Sequence, residues 1–173
     1  MSRYVFGLCL VVLIILTVSP NVMAGCVMPK NNFILTDSAV LCKKNYSLIG
    51  GISIASDNVT LNCNRAEIKC ISGIDIGIRV EGHKRVTIKN CIVSECQNGI
   101  SLINSPNGTI VNNVLHNNKV GIAIQNSHNT RVVTNNLTSN GDSILAISSK
   151  LNIDEIMKGN FYDTIPVLSL IHI

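Results

Sequence analysis

The chain has 173 residues, of which 46% are hydrophobic, 14% charged and only 3% aromatic, with a formal net charge of +4. That length allows one domain. The Lys and Arg residues are scattered, which excludes a phosphate-tracking surface, and the shortage of aromatics excludes base-stacking platforms, so no nucleic-acid partner is expected.

Residues 1–24 carry the marks of a secretory signal peptide. Arg3 gives a positive start, Gly7 to Val18 is an unbroken apolar run, Pro20 ends it, and Val22-Met23-Ala24 offers small-residue spacing for cleavage after Ala24. The competing reading is an uncleaved membrane anchor, but the run of 12 residues falls short of the about 20 that a spanning helix needs. A second export reading also exists. Met23-Ala24-Gly25-Cys26 resembles a lipoprotein signal that leaves a lipidated Cys26 at the new N-terminus, although leucine is usual where Met23 stands. Membrane contact is therefore expected only through the signal or a lipid on Cys26. Losing the signal removes Arg3 and lowers the net charge from +4 to +3.

Residues 25–50 are expected to form an N-terminal cap or the first turn of a repeat array. Gly51-Ile52-Ser53-Ile54, followed by Val59-Thr60-Leu61, opens a repeat. Three later segments align without gaps: Gly77-Ile78-Arg79-Val80, Gly99-Ile100-Ser101-Leu102 and Gly121-Ile122-Ala123-Ile124, each 22 residues after the last. Ile88, Ile110 and Val132 recur in register, as do Val93, Leu115 and Leu137. Each repeat holds short runs in which apolar and polar residues alternate, the period of a strand, separated by Asn, Ser, Gly and His of turns. Propeller blades need about 40 residues, and a leucine-rich repeat would show its leucine ladder and a helix-compatible half.

The predicted fold is all-β, a single-stranded right-handed parallel β-helix of about five to six rungs over residues 51–163. No rung buries its apolar face alone, so each depends on its neighbours. Ile78, Ile100 and Ile122 are expected to stack inward. The step from Gly51 to Gly77 is 26 residues, which places an insertion of about four residues near Ser72 to Ile76. Ser143-Ile144 begins a rung that degrades after Lys150. Residues 164–173 are unassigned. Leu168 to Ile173 resembles a translated transposon-end sequencing adapter, in which case the reading frame is a fragment and further rungs are missing.

Six cysteines come after the signal, at 26, 42, 63, 70, 91 and 96. An even count in an exported chain suggests disulfides. Cys63 and Cys91 are 28 apart and Cys70 and Cys96 are 26 apart, both close to the 26-residue step between their rungs. Adjacent rungs bring such pairs within bridging distance. The expected pairs are Cys63–Cys91, Cys70–Cys96 and, by what remains, Cys26–Cys42. Free buried thiols are the alternative for Cys63 and Cys91, because Cys also packs as a small apolar residue.

Asn58-Val59-Thr60-Leu61-Asn62-Cys63-Asn64, then Arg85-Val86-Thr87-Ile88-Lys89-Asn90-Cys91, then Asn98-Gly99-Ile100 resembles exported right-handed β-helix repeat proteins, the NosD-like and the carbohydrate-binding and sugar-hydrolase β-helix families. The resemblance covers about residues 33 to 148. The family often has Leu-Asp-Cys-Asn-Gly where this chain has Leu61-Asn62-Cys63-Asn64-Arg65. It implies the fold and leaves activity open, because function does not follow from fold.

Chemistry is harder to find. Glycosidases need a carboxylate pair across the scissile bond. Glu81, Glu95 and Asp142 fall in three different register columns, and Asp154-Glu155 lie where the repeat fails. Galacturonase-type sites carry Asp-Asp and Gly-His-Gly, and Gly82-His83-Lys84 is the nearest fragment. Arg79, Arg85 and Arg131 are present with no acidic cluster expected to face them. The NosD resemblance raises copper, which favours grouped His, Cys and Met. His83, His116 and His128 fall in three columns, and Met28 and Met157 lie outside the clean repeats. No catalytic residue, cofactor or metal site is therefore assigned. Asn45, Asn58, Asn107 and Asn136 begin Asn-X-Ser/Thr triplets, which arise easily in an Asn-rich chain.

The leading expectation is an extracytoplasmic β-helix, secreted, on the cell surface or periplasmic. It would present stacked asparagines, Asn104 over Asn126 and Asn107 over Asn129, to a polysaccharide or an envelope glycan. A structural spacer or adhesin segment is the alternative from another class. A fragment of a polysaccharide lyase or glycosidase whose site lies beyond residue 167 is the third.

Overall fold

In a computed structural model the described residues are 25–150, 159–163 and 169–171. The expected signal peptide, 1–24, lies outside them, as do Asp154, Glu155 and Met157 and, of the expected adapter, Leu168, His172 and Ile173. Every element described is a β-strand, and every pairing between strands is parallel.

The chain winds through three sheets in turn. The first coil is β1 (Phe33–Leu35), β2 (Ala39–Val40) and β3 (Asn45–Leu48), and the second is β4 (Ile52–Ile54), β5 (Thr60–Asn62) and β6 (Glu67–Cys70). The third is β7 (Ile76–Glu81), β8 (Thr87–Lys89) and β9 (Ile92–Ser94), followed by β10 (Asn98–Ile103), β11 (Thr109–Val111) and β12 (Val114–His116). The fifth coil is β13 (Val120–Gln125), β14 (Arg131–Val133) and β15 (Asn136–Thr138). β16 (Asp142–Ile147) and β17 (Phe161–Tyr162) belong to the sixth coil, and β18 (Ser169–Ile171) pairs with β16. A long seven-stranded sheet runs β1-β4-β7-β10-β13-β16-β18. The other two sheets hold five strands, β14-β11-β8-β5-β2, and six, β17-β15-β12-β9-β6-β3. This is a parallel β-solenoid of about six turns.

Residues 33–48, offered as a cap or a first turn, supply β1, β2 and β3 and pair with the next coil in all three sheets. The insertion also differs in detail from its expected place. Loop 71–75 takes most of it, and the corner between Asn62 and Glu67 is also longer than its successors.

The core is a set of columns rather than a centre. Ile52, Ile78, Ile100, Ile122 and Ile144 are register partners and each is 0% exposed. Leu61, Ile88, Ile110 and Val132 form a second column, and Ile68, Val93, Leu115 and Leu137 a third. Each fully buried side chain of this size contributes about 1.5–3 kcal/mol by leaving water. Gly99 and Gly121 are the second residues of β10 and β13, where the backbone of the next coil comes close. A Cβ on Gly99 would lie 2.7 Å from the Gly121 carbonyl oxygen and 2.8 Å from Leu115 Cδ2.

The corners follow one rule. A residue with left-handed φ turns the chain, and the next side chain points inward. Asn90, Glu95, Asn112, Asn117, Thr134 and Ser139 have φ between 52° and 57°. Their successors Cys91, Cys96, Asn113, Asn118, Asn135 and Asn140 are buried. At the third corner Asn104, Asn126 and Ser148 turn the chain and Ser105, Ser127 and Ser149 are buried. Asn tolerates this conformation because its short polar side chain bonds locally.

Candidate binding surface

The asparagines singled out from the sequence all lie at the corner between the long sheet and the five-stranded sheet. Asn104 and Asn126 have φ of 50° and 49°, and Asn107 and Asn129 have φ of 60° and 57°. Their backbone amides continue the parallel ladder: Asn104 N–H donates to the Gln125 carbonyl at 2.9 Å, and Asn107 N–H to the His128 carbonyl at 2.9 Å. The side chains stack as well. Asn126 Nδ2 donates to Asn104 Oδ1 at 3.2 Å, and Asn129 Nδ2 to Asn107 Oδ1 at 3.4 Å. All four are exposed. Each amide carries two N–H donors and a two-lone-pair acceptor. One bond along each ladder therefore leaves further donors and acceptors facing solvent at a one-coil spacing, about 4.8 Å.

The asparagines of the other two corners do different work. Asn113 Oδ1 accepts the Cys91 N–H at 2.9 Å, while its Nδ2 donates to the Ile88 carbonyl and to Asn135 Oδ1. Asn118 and Asn140 repeat the arrangement. These side chains are closed off from any ligand.

All three expected cysteine pairs are disulfides. Cys26–Cys42, Cys63–Cys91 and Cys70–Cys96 have Cα–Cα distances of 4.7, 4.7 and 5.0 Å. A Cys26 sulfur held in a disulfide carries no thioether to lipid, so the lipoprotein reading is not the state described. Free thiols at Cys63 and Cys91 are likewise replaced by a bond.

The charged groups are mostly engaged on the surface. Glu95 pairs with Lys69 at 2.6 Å, Glu67 accepts the Ser94 hydroxyl at 3.2 Å and Asp163 accepts the Ser139 N–H at 2.6 Å. Arg79, expected to face no acidic cluster, reaches the single acid Glu81 at 3.3 Å, because residues two apart on a strand share a face. Asp57 accepts the Lys84 N–H at 3.1 Å, and that bond, with the nearby Lys84 and His83 charges, holds its carboxyl below the ordinary value. The Ser72 hydroxyl and the Gly50 amide do the same for Asp75. Burial pushes the Tyr162 hydroxyl up.

The groups that bind soft metals are dispersed. His83 Nδ1 lies 3.5 Å from Asp57, His116 Nδ1 lies 3.1 Å from Asn117 Nδ2, and His128 Nδ1 accepts the Lys150 N–H at 3.1 Å. Met28 Sδ lies 3.8 Å from Lys44 Nζ. Among the described residues no three His, Cys, Asp or Glu come together as a metal would require. Also among the described residues, no helix is long and apolar enough to cross a membrane.

One feature of the surface was not legible in the spacing. Asp75, Arg79, Gln97 and Asn98 come from two coils and one loop to line a cleft on the outer face of the long sheet. Glu81 lies beside Arg79 by strand alternation alone, but Asp75 joins the cleft only through the fold of loop 71–75.

Residues 18–167 match the family described as Periplasmic copper-binding protein (NosD). No curated protein and no solved structure matches the chain.

Proposed function

Because the chain belongs to the NosD family of periplasmic copper-binding proteins and carries three disulfides that fit an extracytoplasmic compartment, we propose that it is a β-helix scaffold that binds a polysaccharide along the corner ladder of Asn104, Asn126, Asn107 and Asn129. The observation that carries this reading is the stacking of exposed amides at a fixed step, with donors and acceptors left over on each. A glycan is a polymer of hydroxyls and ring oxygens at regular intervals, which such a ladder can hydrogen-bond repeatedly. Each bond adds only about 0.5–1.5 kcal/mol, so affinity would rise with oligosaccharide length.

Copper enters no step of this reading. The described cysteines are consumed in disulfides, and the described histidines and Met28 have separate partners. That donor set does not fit a copper centre.

The test is an array of neutral, acidic and amino-sugar oligosaccharides, followed by titration of the strongest binder. Asn104→Gly with Asn126→Gly, which keeps the left-handed φ of 50° and 49° accessible, should weaken it about tenfold with little change in the unfolding midpoint. A protein that ignores every glycan supports the spacer reading, which is favoured by one observation. The amides already bond to each other, so the ladder is partly satisfied with no ligand at all.

A further inference from the structure

The outer face of the long sheet is grooved. Its central outward column runs Ser53, Arg79, Ser101, Ala123, Leu145. Ser101 and Ala123 are small and stand between two tall neighbours, which leaves a hollow. Ser101 is only 2% exposed although the inward neighbours Ile100 and Leu102 place it on the outer face.

The groove has two adjoining lobes. The apolar lobe, about 140 Å³, has Ser101 and Ala123 on its floor and is flanked by Ile103, Leu145 and Ile147. The polar lobe, about 310 Å³, lies beside loop 71–75 and is lined by Ser53, Asp75, Arg79, Gln97 and Asn98. Ile76 and Asn98 line both lobes. Lobes of this combined size fall in the range of small-molecule sites.

The charges in the polar lobe are arranged in an unusual way. Asp75 and Arg79 are opposite in sign and line the same space, yet no ion pair joins them. Asp75 takes the Ser72 hydroxyl at 2.5 Å. Arg79 gives one nitrogen to Glu81 at 3.3 Å, and a guanidinium has five N–H donors. The loop beside them exposes two large apolar side chains, Ile71 at 59% and Ile74 at 78%.

We propose that this cleft binds a zwitterion with an aliphatic body, its ammonium on Asp75, its anionic group on Arg79 and its hydrocarbon in the trough over Ser101 and Ala123. A ligand of one sign would set its charge near a like charge in the same lobe. A neutral sugar could hydrogen-bond Asp75 and Arg79 but would leave the apolar lobe unused. Two sources share the required chemistry: a phospholipid with an aminoethyl phosphate head and a free aliphatic amino acid. The site is separate from the asparagine corner, so the two readings fail independently.

The experiment titrates the exported chain, disulfides intact, with three probes followed by calorimetry and amide NMR shifts. The probes are dihexanoyl phosphatidylethanolamine below its micellar concentration, dihexanoyl phosphatidylglycerol, and leucine. Saturable binding of a zwitterionic probe is expected, with shifts at Ser101 and Ala123 and none from the phosphatidylglycerol. Arg79→Met and Asp75→Asn should each weaken it about tenfold, and Asn104→Gly should not. Affinity rising by up to about fourfold for each added methylene, and losing that gain in Ala123→Phe, assigns the lipid as source. Leucine binding with no gain from longer chains assigns the amino acid. No saturable binding of either zwitterion, binding indifferent to both charge variants, or equal binding of phosphatidylglycerol overturns the proposal.

Discussion

The N-terminal and C-terminal halves of the solenoid hold the same two corner columns by different means. In the first half, Cys63 bonds to Cys91 and Cys70 to Cys96 across neighbouring coils. In the second half the columns continue as Asn113, Asn135 and Asn160, and as Asn118 and Asn140, joined by side-chain amides. The change occurs within one coil, where the Cys91 and Cys96 N–H groups donate to Asn113 and Asn118 at 2.9 and 3.0 Å. An inward corner residue must bridge to the next coil and leave no buried polar group unpaired. A disulfide bridges covalently and adds no strong donor or acceptor. An asparagine bridges through Oδ1 and Nδ2 and also takes up a carbonyl of the previous coil, as Asn135 does with Ile110 at 2.9 Å. Only the first solution depends on an oxidising compartment.

The largest break in that comparison comes from the cysteines. Replacing Cys63 and Cys91 together by Ala opens a link spanning 28 residues and should cost about 3–4 kcal/mol. Urea unfolding measures the loss, and amide exchange locates it. Coils one to three should lose protection first. Equal loss in coils four to six would mean that the halves unfold as one unit.

Asn135→Ala tests the other half. It strands the Asn113 N–H and side-chain amide and the Ile110 carbonyl, at about 2–4 kcal/mol. The double change Asn113→Cys with Asn135→Cys sharpens the point. The two positions are one coil apart in strict register, whereas Cys63 stands across from Asn90, one residue short of Cys91; if the column accepts either bridge, a disulfide should form and restore most of the loss in oxidised protein alone. Failure to oxidise would show that the amide corner differs in geometry from the cysteine corner.

The smallest effect is expected from acid. Asp57 and Asp75 both lie in the N-terminal half and have carboxyls held below the ordinary value, chiefly by the Lys84 N–H and the Ser72 hydroxyl. A lowered folded pKa gives stability that is present above the ordinary carboxylate range and lost as pH falls through the folded value. The melting temperature should dip slightly below about pH 4, and Asp57→Asn should flatten part of the dip. An unchanged acid limb would show that these surface bonds add nothing measurable.

Much of the solenoid was legible in the chain because a one-dimensional fold writes its register into its period. The 22-residue spacing named the inward column of Ile78, Ile100 and Ile122, and separations near the step between coils pointed to Cys63–Cys91 and Cys70–Cys96 and left Cys26 for Cys42, since both depend on which residues come close one coil later. Residues 33–48 were ambiguous because Phe33, Tyr46 and the polar residues between them do not match the later repeat, although their strands pair with it. Tertiary structure alone decided which asparagine of Asn112-Asn113 or Asn117-Asn118 turns the chain and which is buried, because the two are chemically identical until the corner places one inside. It also decided the cleft. Asp75 and Arg79 belong to no common column, and they share a lobe only because loop 71–75 adds length where other coils turn directly and so lies beside the sheet face, a contact that no periodicity encodes.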